Sequence, residues 1–142
     1  MPLEFLKLDG VSIVTETLKT GDYACRHGEE WDEVIFERKG DDLWSSFSGD
    51  NYEREKEKWA RAKEWGKRLI LAIEAPAYEV RKGHQYQKQG EWHEVQKSGI
   101  AMVRQIMTIS RKYQIPVWWC DGRKDMAFCI QEYYLAWERI KT

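Results

Sequence analysis

Long apolar runs, net charge, proline and cysteine are all scarce in this chain of 142 residues. The longest apolar stretches, Leu69–Ile73 and Pro116–Cys120, reach about five residues, whereas a membrane-spanning helix needs about 20. No basic flank followed by an apolar segment opens the chain, so no secretory signal is expected. Three prolines, with 42% hydrophobic and 33% charged residues, exclude collagenous and disordered classes. Cys25, Cys120 and Cys129 cannot all pair with one another, and their spacing fits neither a zinc nor a thioredoxin pattern. They read as reduced thiols of a cytoplasmic protein. A formal net charge of −1 excludes a strongly basic protein that coats nucleic acid indiscriminately, but allows a local basic face. Tryptophan is abundant, with eight residues. The length points to one domain with a core of its own.

Along the chain, Val11–Leu18 is β-branched and partly alternating, which predicts a strand, and Lys19-Thr20-Gly21-Asp22 reads as the turn after it. Glu33–Lys39 predicts a second strand, reached through a hairpin over Tyr23–Glu30 with its tip near His27–Glu30. Asp41-Asp42-Leu43-Trp44 reads as a helical turn. Asp50 and Glu53 have capping-box spacing for a helix over Asn51–Gly66, with Tyr52, Trp59 and Ala62 on its inner side. Leu69–Glu74 predicts a strand covered on both faces. Ala75–Val95 is polar and punctuated by Pro76, Gly83 and Gly90, and reads as a loop or an excursion beyond the core. Helical periodicity returns over Ser98–Tyr113. Pro116–Cys120 is a further buried strand, and Lys124–Lys141 a final helix with Met126, Ile130, Tyr133, Trp137 and Ile140 on one stripe. The succession predicts an α/β domain with a mixed sheet.

The chemistry-bearing feature is a concentration of charge. Glu37 and Lys39 are two apart on a predicted strand, so their side chains share a face. Asp22 can reach that face from the neighbouring hairpin arm, and Asp41 and Asp42 follow where strand becomes helix. Two or three carboxylates beside one ammonium suit a hard divalent cation, which takes oxygen ligands. The lysine would then orient water for attack on phosphorus, while the cation stabilises charge on the phosphate oxygens. Taken alone, a carboxylate-x-lysine pair on a strand most often marks an exposed salt-bridging face.

The whole string is more specific: Gly21-Asp22, fourteen residues, Glu37-Arg38-Lys39, then Asp42-Leu43. It resembles the nuclease domain of the XPF family of structure-specific endonucleases, whose signature is Gly-Asp, a variable gap, Glu-Arg-Lys, three residues and Asp. Leu18–Tyr23 resembles the family's Leu-x-x-Gly-Asp-Tyr entry, and Asp42–Phe47 its Asp-Leu-x-x-Ser-hydrophobic helix start. A basic-acidic helix and a strand ending in Ile73-Glu74 follow in the family's order, so the likeness covers roughly residues 3–141. It implies a restriction-endonuclease-like fold, a mixed central sheet flanked by helices, and a divalent-metal-dependent DNA endonuclease, acting on branched or flapped DNA. The residues implied are Asp22, Glu37 and Asp42 for Mg2+ or Mn2+, and Lys39 for the nucleophilic water. Arg38, on the opposite face, would be structural or would contact DNA phosphate. Two departures stand out. Only Gly40 and Asp41 separate Lys39 from Asp42, so either Asp42 is the motif aspartate or a shifted loop brings in Asp41. The family's first strand, Asp-x-Arg-Glu, has no counterpart before Pro2-Leu3-Glu4-Phe5, and Glu4, Asp9 and Glu16 are poor substitutes for its acid.

The alternative is a non-catalytic DNA-binding or scaffolding member of that family; a pure protein-interaction domain is more remote. DNA is the implied partner, with a homodimer through the final helix and a further DNA-processing protein as other partners. The tandem helix-hairpin-helix region of longer relatives has no counterpart. A solitary domain of this kind suits a bacterial or phage setting. Arg81, Lys82 and Lys88, with His84, lack nearby acids and are phosphate-binding candidates. The basic residues between Arg54 and Arg68 alternate with glutamates and read as a solvated, paired face. Trp59, Trp65 and Trp137 read as core. Trp31, Trp44 and Trp92 are candidates for stacking on splayed bases. His27, His84 and His93 show no metal spacing.

Overall fold

The computed structural model describes residues 3–6, 10–14, 16–83, 85–88, 91–94 and 98–141, with the backbone alone for 85–88, 91–94 and 141. The elements, in order, are β1 (Arg26–His27), β2 (Glu30–Trp31), β3 (Val34–Lys39), α1 (Leu43–Ser46), α2 (Gly49–Glu64), β4 (Arg68–Ile73), α3 (Ala77–Arg81), β5 (Gln85–Lys88), β6 (Glu91–Glu94), α4 (Gly99–Tyr113), β7 (Val117–Trp119) and α5 (Arg123–Lys141). The central sheet has the order β3-β4-β7 and is parallel throughout, with Glu37 opposite Leu71 and Lys39 opposite Ile73. An antiparallel bridge between Tyr23 and Phe36 on the outer edge of β3 gives it a mixed character.

Both faces of the sheet are covered, which is why β4 reads as an unbroken apolar run. On one face Ile35, Leu69, Leu71 and Ile73 pack against Leu43, Phe47, Trp59 and Ala62 of the first two helices and Met102, Ile106 and Ile109 of α4. On the other, Val34, Phe36, Ile70 and Ala72 meet Met126, Ala127, Ile130 and Tyr134 of α5. The hydroxyl of Tyr134 donates to the Val34 carbonyl at 2.8 Å, so its ring is buried with its polar end satisfied. No helix of the described residues is long and apolar enough to cross a membrane.

Three expectations are corrected. The described residues of Val11–Leu18 form no strand, and Ile13 and Val14 are 57% and 69% exposed. The edge of β3 is engaged instead by Asp22 and Tyr23, whose backbone N–H groups donate to the Phe36 carbonyl at 2.8 and 3.1 Å. Asp50 and Glu53 form no capping box, because α2 begins earlier, at Gly49 after Ser48. Ala75–Val95 is not all loop: it contains α3 and the antiparallel pair of β5 with β6. The expected hairpin is present as β1 and β2, turning through Gly28 at φ +69°, a backbone that glycine adopts without cost.

Candidate functional site

Alternation along β3 sorts the charged triplet. Glu37 and Lys39 lie on the side of Ile35, toward α2, and are 3% and 2% exposed. Two buried charges on a strand require partners from the helix above them. The Lys39 ammonium donates to Glu55 Oε1 at 2.8 Å and to Ser46 Oγ at 3.1 Å. It stands 3.5 Å from Glu37 Oε1 and 3.8 Å from Asp42 Oδ2. Lys58 Nζ donates to Glu37 Oε1 and to Glu55 Oε1, both at 3.1 Å. Two ammoniums and two carboxylates therefore interlock between β3 and α2. Desolvation pulls the Lys58 pKa down, but Glu37 and Glu55 outweigh it and the ammonium is stabilised.

Asp22 approaches from the sheet edge. Gly21, at φ +80°, takes the chain around this corner, where a Cβ would press on Ile35 Cδ1 at 3.1 Å. Asp22 Oδ2 then accepts the Arg38 backbone N–H at 2.7 Å. Burial pushes the Glu37 carboxyl above its ordinary pKa, and the Asp22 charge pushes it further; Lys39 and Lys58 oppose both. Asp42 stands apart. Its Oδ1 accepts the Gly40 N–H at 3.1 Å, its side chain is 61% exposed, and it faces the Lys39 ammonium. Between the two aspartates left open by the spacing, Asp42 is the one near Lys39. Among the described residues no three metal-ligating side chains converge. Glu37 and Glu55 share the Lys39 and Lys58 ammoniums, and Asp22 is near enough for its charge to act on Glu37.

Arg38 emerges on the opposite face, where its Nη2 meets Glu74 Oε1 at 2.8 Å and Arg123 Nε reaches the same oxygen at 3.2 Å. Gly40 packs beside that carboxylate, where a Cβ would collide with Glu74 Oε2. Arg81 and Lys82 are exposed at the end of α3, and Lys82 pairs with Glu79 at 3.0 Å. The side chain of Lys88 lies outside the described residues, as do His84 and the side chain of His93 and Trp92. His27 is held by Asp32 at 2.7 Å and stacked on Trp137 at 4.0 Å between centroids, an arrangement that fastens the β1–β2 hairpin to α5.

A family model, the ERCC4 domain, matches residues 1–133. The chain belongs to this family. The match agrees with the likeness carried by Gly21-Asp22 and Glu37-Arg38-Lys39, since the ERCC4 domain is the XPF-family nuclease domain, with a restriction-endonuclease-like fold. No curated protein matches the chain.

Within this ERCC4 domain, the residue that the sequence reading missed is Glu55. It is 4% exposed, its Oε1 takes both ammoniums, and its Oε2 has no hydrogen-bond partner among the described residues. Its signal was the stripe Tyr52, Glu55, Trp59, Ala62, spaced three, four and three, which puts an acid on the inner face of α2. The donor set also bears on the expected cation. Asp22 and Glu37 are both hard oxygen donors, and the repulsion between them is what a divalent cation relieves, with water and phosphate completing its shell. The pair fits such an ion, and Asp42 stands against the Lys39 ammonium.

Proposed function

We propose that this domain is a divalent-metal-dependent DNA endonuclease that hydrolyses a phosphodiester bond at the edge of β3. The observation that carries the reading is the Asp22–Glu37 carboxylate pair with the Lys39 ammonium 3.5 Å from Glu37, at the matching positions of the family signature. Asp22 and Glu37 would hold Mg2+ or Mn2+, which when bound supplies Lewis-acid stabilisation of charge on the phosphate. Lys39 presents positive charge from a dry site, where it is worth more than in water. Glu55 and Ser46 fix the direction of that ammonium. DNA is the substrate class that family membership supports. A second copy is the further partner we favour, and the outward side chains of Phe128 and Ile140 on α5, 54% and 86% exposed, support it.

One observation favours a non-catalytic DNA-binding member. Lys58 Nζ sits 3.1 Å from Glu37 Oε1 and supplies a resident positive charge to the acid pair. A nicking assay on labelled flapped DNA separates the two. The endonuclease reading predicts Mg2+- or Mn2+-dependent cleavage that falls at least about 100-fold in Asp22→Ala, Glu37→Ala and Lys39→Ala, the scale of losing a transition-state contact. Salt-sensitive DNA binding that survives these substitutions, with no metal-dependent cutting by the parent protein, would establish the other.

A further inference from the structure

The two ammoniums between β3 and α2 are not equally fixed. Lys39 is 2% exposed, and Ser46 Oγ accepts from it at 3.1 Å in addition to its carboxylate partners. The Lys58 side chain is 33% exposed. Its ammonium has Glu37 Oε1 and Glu55 Oε1, both at 3.1 Å, and no further partner among the described residues. The backbone beneath it is pinned, since the Lys58 carbonyl accepts the Thr20 hydroxyl at 3.2 Å. The ammonium itself rides on a flexible four-carbon stem that reaches solvent. Lys39 is built in, whereas Lys58 is free to leave.

Two observations show that a single positive charge satisfies these acids incompletely. The first is the charge balance. Glu37 and Glu55 are buried, and the Asp22 charge acts on Glu37, so three carboxylates face the two ammoniums. Asp42 adds a fourth negative charge, from a side chain that is 61% exposed. The second is an unused acceptor. Glu55 Oε2 is buried with no hydrogen-bond partner among the described residues, although Oε1 of the same carboxylate takes both ammoniums. A buried acceptor without a donor is costly. A hard divalent cation carries twice the charge of Lys58 and takes several oxygen ligands, so it answers both deficits. The Lys58 ammonium and such an ion are therefore rivals for the same carboxylates.

We propose that Lys58 is a resident counter-ion that competes with a divalent cation for Glu37 and Glu55, and so sets the metal affinity of the site. The role deepens the endonuclease reading and rests on it for the cation. The test is calorimetric titration of the DNA-free protein with MnCl2, beside urea unfolding of the same variants in EDTA. Lys58→Met, which keeps the apolar stem, and Lys58→Gln should each bind Mn2+ about tenfold more tightly than wild type, the scale of removing one charge from beside a doubly charged ion at a partly exposed site. Lys58→Arg keeps the charge and should bind Mn2+ as wild type does. In EDTA both neutral variants should unfold at lower urea, because Glu37 and Glu55 are left to Lys39 alone. A lysine that merely braces the acids gives the other pattern, in which its loss lowers stability and metal affinity together. Wild-type Mn2+ binding that neither neutral variant tightens, or that Lys58→Arg tightens as they do, would overturn the proposal and leave the endonuclease reading standing. No Mn2+ binding by wild type or any variant would end both. Binding by the neutral variants alone would uphold the competition and end the endonuclease reading.

Discussion

Glu55 is the residue on which the buried charges of the site depend. Removing one member of a buried ion pair leaves its partner desolvated, at a cost of about 3–5 kcal/mol. Glu55→Ala should therefore lower the urea-unfolding free energy by about 3 kcal/mol, since Lys39 would keep Ser46 and only the longer contacts to Glu37 and Asp42. Glu55→Gln should cost less, because an amide oxygen still accepts from Lys39. Wild-type stability in the Ala variant would show that the quartet contributes nothing to the fold. Glu37 makes a separate prediction. Its folded pKa is raised, by burial first and Asp22 second, so the native state holds the proton to higher pH than the unfolded chain does. Stability then falls as pH rises from about 4.5 through the folded value, and levels off above it. Denaturation of wild type and Glu37→Gln across that window should show the difference growing in favour of Gln with pH; a constant difference would contradict the assignment. Glu37, Lys39 and Asp22 were legible in the sequence because parity and the Gly-Asp turn bring them to one strand. Glu55 was not, because within a helix of alternating charges its neighbours Glu53 and Glu57 look the same until burial separates them.

Among the elements, β3, β4 and β7 were legible because apolar residues on both faces require helices on both faces. Val11–Leu18 has the composition of a strand, but its described residues pair with none, and Tyr23 holds the outer side of Phe36. β-branched composition reports a preference for extended backbone, and pairing is decided by which segment reaches the edge. The helix α3 was hidden by its length of five residues, too short for periodicity to register. Its contact with α4 is nonetheless tight. A Cβ on Gly99 would collide with the Arg81 carbonyl and the Gly83 amide, which are backbone atoms that cannot swing aside. Gly99→Ala should cost about 1–3 kcal/mol, by overpacking. Ser98→Ala should cost about 1 kcal/mol, because its hydroxyl accepts the Ala101 N–H at 3.1 Å and starts α4. Thermal melting should rank Gly99→Ala at or below Ser98→Ala; a Gly99 variant that melts with the wild type would contradict the close approach.

At the scale of the molecule, the sheet divides the charged triplet between two environments. Glu37 and Lys39 join the interlocked charges under α2, while Arg38 joins Glu74 and Arg123 against α5. Asp22, entering at the edge of β3 that Tyr23 engages, brings a second carboxylate charge to bear on Glu37, and the reading as an endonuclease turns on that pair. Mn2+ binding followed by electron paramagnetic resonance tests it most directly, because the free-ion signal is read without any DNA. The account predicts one Mn2+ per chain, displaced by Mg2+, with affinity reduced at least about tenfold in Asp22→Asn and in Glu37→Gln, one full carboxylate contact each, and little changed in Asp42→Asn. Absence of Mn2+ binding by the wild-type protein, or binding that survives loss of both Asp22 and Glu37, would contradict it.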